Sequence, residues 1–145
     1  MKKILKYFLL GILFWIIVDF TTTEAIRNPV KYYSTYMPAL LIFYIGYPLV
    51  FSFLIYKFNF IGKKLFIAAL IGAFVVEVIF THNPLLITFP LMLIGIPAAV
   101  SIYSLITFAP KWIVNRELKK NKWKLIIMVI VYLFISLASL FGSSS

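Results

Sequence analysis

Apolar residues run through this chain in five long blocks: Ile4–Phe20, Met37–Tyr56, Leu65–Phe80, Leu85–Ala109 and Leu125–Phe141. Short stretches rich in lysine, asparagine and other polar residues separate them. A helix needs about 20 apolar residues to cross roughly 30 Å of hydrocarbon. The second and fourth blocks meet that length. The first, third and fifth are shorter and are expected to lean on flanking lysines. The fourth contains Pro90 and Pro97, which predicts a tilted or kinked helix. The pattern therefore predicts an all-α polytopic membrane protein with five transmembrane helices, one membrane domain over residues 1–145.

Composition agrees with that solvent. Of 145 residues, 63% are hydrophobic and only 12% charged, whereas a soluble domain is about half apolar and a quarter charged. There is no cysteine, which removes disulfides, thiolate metal sites and cysteine nucleophiles.

A net charge of +10 would suggest nucleic acid in a soluble protein. Here the basic residues sit at the ends of apolar blocks, where they orient helices and meet anionic lipid. Placing the N-terminus inside collects Lys2, Lys3, Lys6, Lys57, Lys63, Lys64, Lys111, Arg116, Lys119, Lys120, Lys122 and Lys124 on one side. Only Arg27 and Lys31, of 14 Lys and Arg in all, fall on the other. The positive-inside rule then predicts a cytoplasmic N-terminus and an external C-terminus. The composition, rich in Ile, Lys, Phe and Tyr, points to a multi-pass protein of a prokaryotic cytoplasmic membrane.

A tandem repeat is also legible. Lys2-Lys3 aligns with Lys63-Lys64, Gly11 with Gly72, Asn28-Pro29 with Asn83-Pro84, and Pro38 with Pro90. "IGYPLVFS" (Ile45–Ser52) then falls over "IGIPAAVS" (Ile94–Ser101). Residues 2–58 and 63–108 thus read as two helical hairpins of the same orientation, related along the membrane normal. The repeat gives the first block a partner, so it is read as a retained span, although Lys2, Lys3 and Lys6 before an apolar core and the small residue Ala25 also suit a signal peptide. The fifth span, 125–141, has no counterpart. The last residues, Gly142–Ser145, read as a flexible end or a cloning remnant.

Within each Ile-Gly-x-Pro stretch, the proline (Pro48, Pro97) frees a backbone carbonyl, and the glycine (Gly46, Gly95) lets another backbone approach. These four residues are expected to form a packed interface between the hairpins, with a binding gap as the alternative.

Few ionisable groups remain for chemistry. Asp19 ends the first span, and Glu24 and Arg27 lie in the first outer turn at a helical pair spacing. Glu77 stands about 18 Å along its helix from Leu65 and so lies inside the membrane. There it must be protonated, paired or facing a wet cavity. His82 follows in "FTHNP". Glu77, His82, Glu24, Arg27 and Asp19 are the candidate binding or ion-coupling residues. A single histidine without cysteine is a poor zinc site, and no HExxH, P-loop or GxGxxG occurs, so no metal or cofactor is assigned. The linker "KWIVNRELKKNKWK" (Lys111–Lys124) is expected to form an interfacial helix. Its Lys111, Arg116, Lys119, Lys120, Lys122 and Lys124 would meet anionic lipid, and Trp112, Arg116, Lys119 and Trp123 would share one face.

The leading expectation for function is a small membrane protein acting through helix–helix contacts. It would contact itself, as an oligomer, or another membrane protein, as an accessory subunit. The alternatives are an oligomeric permease or channel with Glu77 as proton or cation site, and a lipid-modifying enzyme using Glu77 and His82. Without a recognised catalytic pattern, the residues lean away from an enzyme.

Overall fold

The computed structural model describes residues 2–141, and every regular element among them is helical. Gly142–Ser145 lie outside the described residues. The first helix, α1, covers Lys2–Thr22. Its end is closed by a run of hydroxyls that bond back into the helix: Thr21 to Ile17 O at 2.8 Å, Thr22 to Val18 O at 2.7 Å and Thr23 to Asp19 O at 2.6 Å. These satisfy carbonyls that have no partner at a helix terminus. A 3₁₀ turn, Glu24–Ile26, follows.

Helix α2 spans Pro29–Tyr56 and starts well before the expected Met37. The reason is local: Asn28 accepts from Lys31 N and Pro29 occupies the first helical position, a strong start signal. Pro38 and Pro48 both lie inside this helix without ending it. Helix α3 covers Gly62–Phe74 and runs directly into a π-helical segment, Val75–Phe80.

The fourth block departs most from expectation. Instead of one kinked helix over Leu85–Ala109, there is a single turn, α4 (Pro84–Ile87), then a break, then α5 (Met92–Asn115). Proline accounts for both edges. Asn83 and Pro84 start α4 as Asn28 and Pro29 start α2. Pro90, joined to Phe89 by a cis bond, has no N–H and disfavours a helical residue before it.

The expected interfacial helix over Lys111–Lys124 is also absent. Lys111 to Asn115 form the last turn of α5, Arg116 takes a left-handed conformation (φ 60°), and α6 begins at Lys122 and ends at Phe141. Trp112 is therefore buried in the bundle while Trp123 is 76% exposed, so the face proposed to join them does not exist.

Among the described residues, α1, α2, α5 and α6 are long and apolar enough to cross a bilayer. Helix α1 is central and packs on α2, α5 and α6, while α3 packs mainly on α5. Tyr7 near the start of α1 bonds Thr107 O late in α5, whereas Ser139 late in α6 bonds Thr22 O at the end of α1. So α1 and α6 run the same way and α5 runs against them. The core combines Tyr7 and Trp15 of α1, Tyr47 and Phe51 of α2, Leu65 of α3 and Ile106 of α5. Helix α6 contributes no buried residue.

Candidate functional site

Two carboxylates lie inside the bundle, near the end that carries Thr22. Asp19 sits in the last turns of α1 and is held by two tyrosines of α2. Tyr32 Oη donates to Oδ1 at 3.0 Å, and Tyr44 Oη donates to Oδ2. Pro29 starts α2 early enough to place Tyr32 on the helix at all, so the capping of α2 makes this site.

Glu77 lies in the π-helical segment. There the turn is wide, with Thr81 N bonding Val76 O, five residues back, at 3.0 Å. Its Oε1 accepts from Tyr103 Oη of α5 at 2.9 Å and its Oε2 from Asn83 Nδ2 at 2.7 Å. Its main-chain carbonyl accepts from Asn83 N at 2.8 Å and Thr81 Oγ1 at 2.9 Å. Asn83 thus has two tasks: its Oδ1 caps α4 through Leu85 N at 3.0 Å, and its amide holds Glu77.

Trp15 stands between the two acids. Its ring lies 5.2 Å from that of Tyr47 at 66°, 5.6 Å from Tyr103 at 84°, and 6.4 Å from Tyr44. Its ring therefore lies beside one tyrosine donor of each carboxylate, Tyr44 of Asp19 and Tyr103 of Glu77. Among the described residues, Trp15 Nε1 is the one buried side-chain polar atom without a hydrogen-bond partner. Ring faces in such an edge-to-face nest can take an N–H weakly. Beyond this nest the polar groups continue into the core. Tyr47 Oη lies 2.8 Å from Thr107 Oγ1, and Tyr7 Oη donates to Thr107 O at 3.1 Å.

The structure thus links Asp19 and Glu77 through the aromatic rings around Trp15, and the other candidates are not tied to that group. Glu24 opens the 3₁₀ turn, and Arg27 closes it through its backbone N–H to Glu24 O at 3.0 Å. His82 is exposed, with a left-handed backbone (φ 49°), and the hydrogen bonds of Glu77 go to Tyr103, Asn83 and Thr81. Among the described residues, no three of His, Cys, Asp and Glu gather as a metal set.

The two Ile-Gly-x-Pro stretches differ. A methyl group at Gly95 would lie 2.0 Å from the Leu85 carbonyl oxygen, so the backbone of α4 does approach this glycine. At Gly46 a methyl would meet nothing within 4 Å. The close contact near Pro48 comes from another glycine, Gly11 of α1, where a methyl would lie 2.7 Å from Pro48 Cβ. Gly72, which aligns with Gly11, packs against the neighbouring Tyr47, 2.8 Å from a built methyl.

At the opposite end, Lys111 is buried, 7% exposed, and pairs with Glu117 Oε2 at 3.0 Å. This removes it from the row of lysines expected to lie on the lipid surface.

Sequence reasoning missed Tyr103, Trp15 and Thr107. Tyr103 and Thr107 are polar groups one helical turn apart in an apolar block. Trp15 precedes Asp19 by one turn. Those spacings were the available signal. Comparison with family models, with curated proteins and with solved structures gave no match to this chain.

Proposed function

We propose that this protein works through helix–helix contacts in the membrane, as an oligomer or as a subunit of a membrane complex. The observation that carries this reading is the placement of α6. It is a 20-residue apolar helix with no buried residue, held at its edge through Thr21 to Tyr132 and Ser139 to Thr22 O. Its large apolar side chains, among them Ile127, Phe134 and Phe141, point away from the bundle. The interior supports the same reading. Both carboxylates bind tyrosine hydroxyls of other helices and so tie α1 to α2 and the π segment to α5. Polar groups used this way fasten helices together in lipid.

In this reading the chain crosses the bilayer five times, with the N-terminus in the cytoplasm. The third crossing is α3 with its π segment, a continuous helical stretch over 62–80. That stretch is roughly 28 Å long at the α-helical rise. The matched Asn-Pro starts and the matched packing of Gly11 and Gly72 on adjacent residues of α2 support a tandem duplication. The functional test is extraction from native membranes into polymer nanodiscs, followed by mass determination. Particles with several copies, or with a second membrane protein at fixed ratio, are expected. A uniform single-copy particle would remove the proposal.

A second reading is favoured by the polar groups that follow the two acids toward the opposite end: Tyr47, Thr107 and Tyr7. It makes Glu77 a proton or cation site with this hydroxyl series beneath it. Liposomes loaded with a pH-sensitive dye separate the two. Flux that is present in the native protein and lost in Glu77→Gln, with assembly intact, supports the second reading. Equal leakage from both rejects it.

A further inference from the structure

Residues 84–94 read PLLITFPLMLI, in which Thr88 is the one polar side chain. Leu85, Ile87, Phe89, Leu91, Leu93 and Ile94 are all exposed. A continuous apolar surface of that kind calls for a non-aqueous neighbour. Two contacts fix its depth. After the π segment ends at Phe80 the chain folds back, and Asn83 N donates to Glu77 O at 2.8 Å. Helix α4 therefore starts level with Glu77, inside the end of the adjoining helix. Leu85 O then lies against Gly95, about one turn inside the start of α5. The chain thus dips back beside its neighbours before α5 begins, rather than running over their ends.

An irregular stretch at membrane depth has to pair its own backbone. Here Leu85 N donates to Asn83 Oδ1 and Leu86 N to Asn83 O, both at 3.0 Å. Thr88 N donates to Pro84 O at 3.0 Å, and Met92 N to Thr88 O at 3.1 Å. Leu93 N reaches Pro90 O at 3.0 Å, and Ile94 N reaches Leu91 O at 3.1 Å. Pro84 and Pro90 bring no N–H at all. Side chains and backbone both suit hydrocarbon.

Between α3 with its π segment, α4 and α5 lies a cavity of about 400 Å³. Ala73 and Val78 stand on one wall, Leu86 on the second and Val100 on the third, and every lining side chain is hydrocarbon. Phe74 and Ile96 also line it and are exposed, so it opens on the lipid side. Water in such a space needs polar partners, and these walls offer none. An empty space forfeits the packing contacts of its walls. A hydrocarbon occupant remains. The volume is about that of one helical turn, roughly 10 Å across and 5.4 Å long, so a partner's spanning helix does not fit. A single lipid chain does.

We propose that residues 84–91 form a re-entrant segment in the leaflet at the Glu77 end, and that the cavity beside α4 holds one acyl chain of a lipid from that leaflet. This site needs the bilayer but no oligomer or partner subunit. Its test uses the native protein in phosphatidylcholine vesicles doped with a phosphatidylcholine that carries a diazirine midway along one acyl chain. After illumination, the labelled residues are mapped by tandem mass spectrometry. Ala73, Leu86 and Val100 should be labelled several-fold more than Phe134, which faces outward on the open surface of α6. Ala99→Phe places a ring in the cavity. It should bring the labelling of Ala73 and Val100 down to that of Phe134 with the melting temperature unchanged. Even labelling of all the helices in the native protein would overturn the acyl-chain site, as would cavity labelling unmoved in a folded Ala99→Phe. The re-entrant placement has its own readout, because the chain has no cysteine. In permeabilised membranes Ile87→Cys should react with a water-soluble maleimide far more slowly than His82→Cys, and equal rates would place the segment in water and refute it.

Discussion

Alanine at Gly46 and at Gly95 makes the same chemical change at aligned positions of the two Ile-Gly-x-Pro stretches, and the structure predicts opposite results. At Gly95 the new methyl would lie 2.0 Å from Leu85 O and 2.7 Å from Leu85 C. Both are backbone atoms and cannot rotate away. Moving Leu85 would shift α4 and with it Asn83, which holds Glu77 at 2.7 Å. Overpacking of this kind costs about 1–3 kcal/mol, and so deep an overlap with backbone belongs near 3. Replacing a helical glycine by alanine returns about 0.5–1 kcal/mol. The net loss for Gly95→Ala is therefore about 2 kcal/mol. At Gly46 a methyl meets nothing within 4 Å, so only the helix gain of about 0.5–1 kcal/mol remains. Thermal unfolding of the two variants in one detergent, followed by far-UV circular dichroism, measures the difference. Gly95→Ala should melt below the native protein and Gly46→Ala at or slightly above it. If Gly95→Ala is neutral, or if both fall together, the approach of α4 to α5 is wrong.

Two further outcomes follow from the same structure. Tyr103→Phe removes the donor to Glu77 Oε1 at 2.9 Å and should destabilise the protein by about 1–2 kcal/mol. Tyr36→Phe, at an exposed position, should have no effect in the same melts. The chain has no cysteine, so Asn59→Cys and His82→Cys give clean topology probes. In intact cells a membrane-impermeant maleimide should label His82→Cys at once and Asn59→Cys only after permeabilisation, and the reverse pattern would invert the proposed orientation.

The sequence carried the helical, membrane-embedded character because apolar length and composition alone decide it. It also carried the Asn-Pro turns, since capping by Asn28 and Asn83 is a local matter of side chain and following backbone. What failed was decided by context. Pro38 and Pro48 stay inside α2 while Pro90 interrupts its block, although all three are prolines within long apolar blocks. From its neighbours in the sequence Lys111 reads as a surface lysine, yet α5 continues far enough to bury it against Glu117. Glu77 stood out because a carboxylate inside an apolar block is costly. Its partners did not, because Tyr103 and Asn83 come from other segments and only folding brings them together. Gly46 and Gly95 show the same limit: matched residues meet different neighbours.

The claim that the protein acts through contacts made by its outer helix faces is tested most directly by cysteine cross-linking along α6. Phe134→Cys points away from the bundle, and Met128→Cys points toward it. In native membranes treated with a short bifunctional maleimide, Phe134→Cys should form a discrete adduct with a second copy or with one other membrane protein, and Met128→Cys should not. An α6 whose outward cysteines remain single chains throughout would contradict the account.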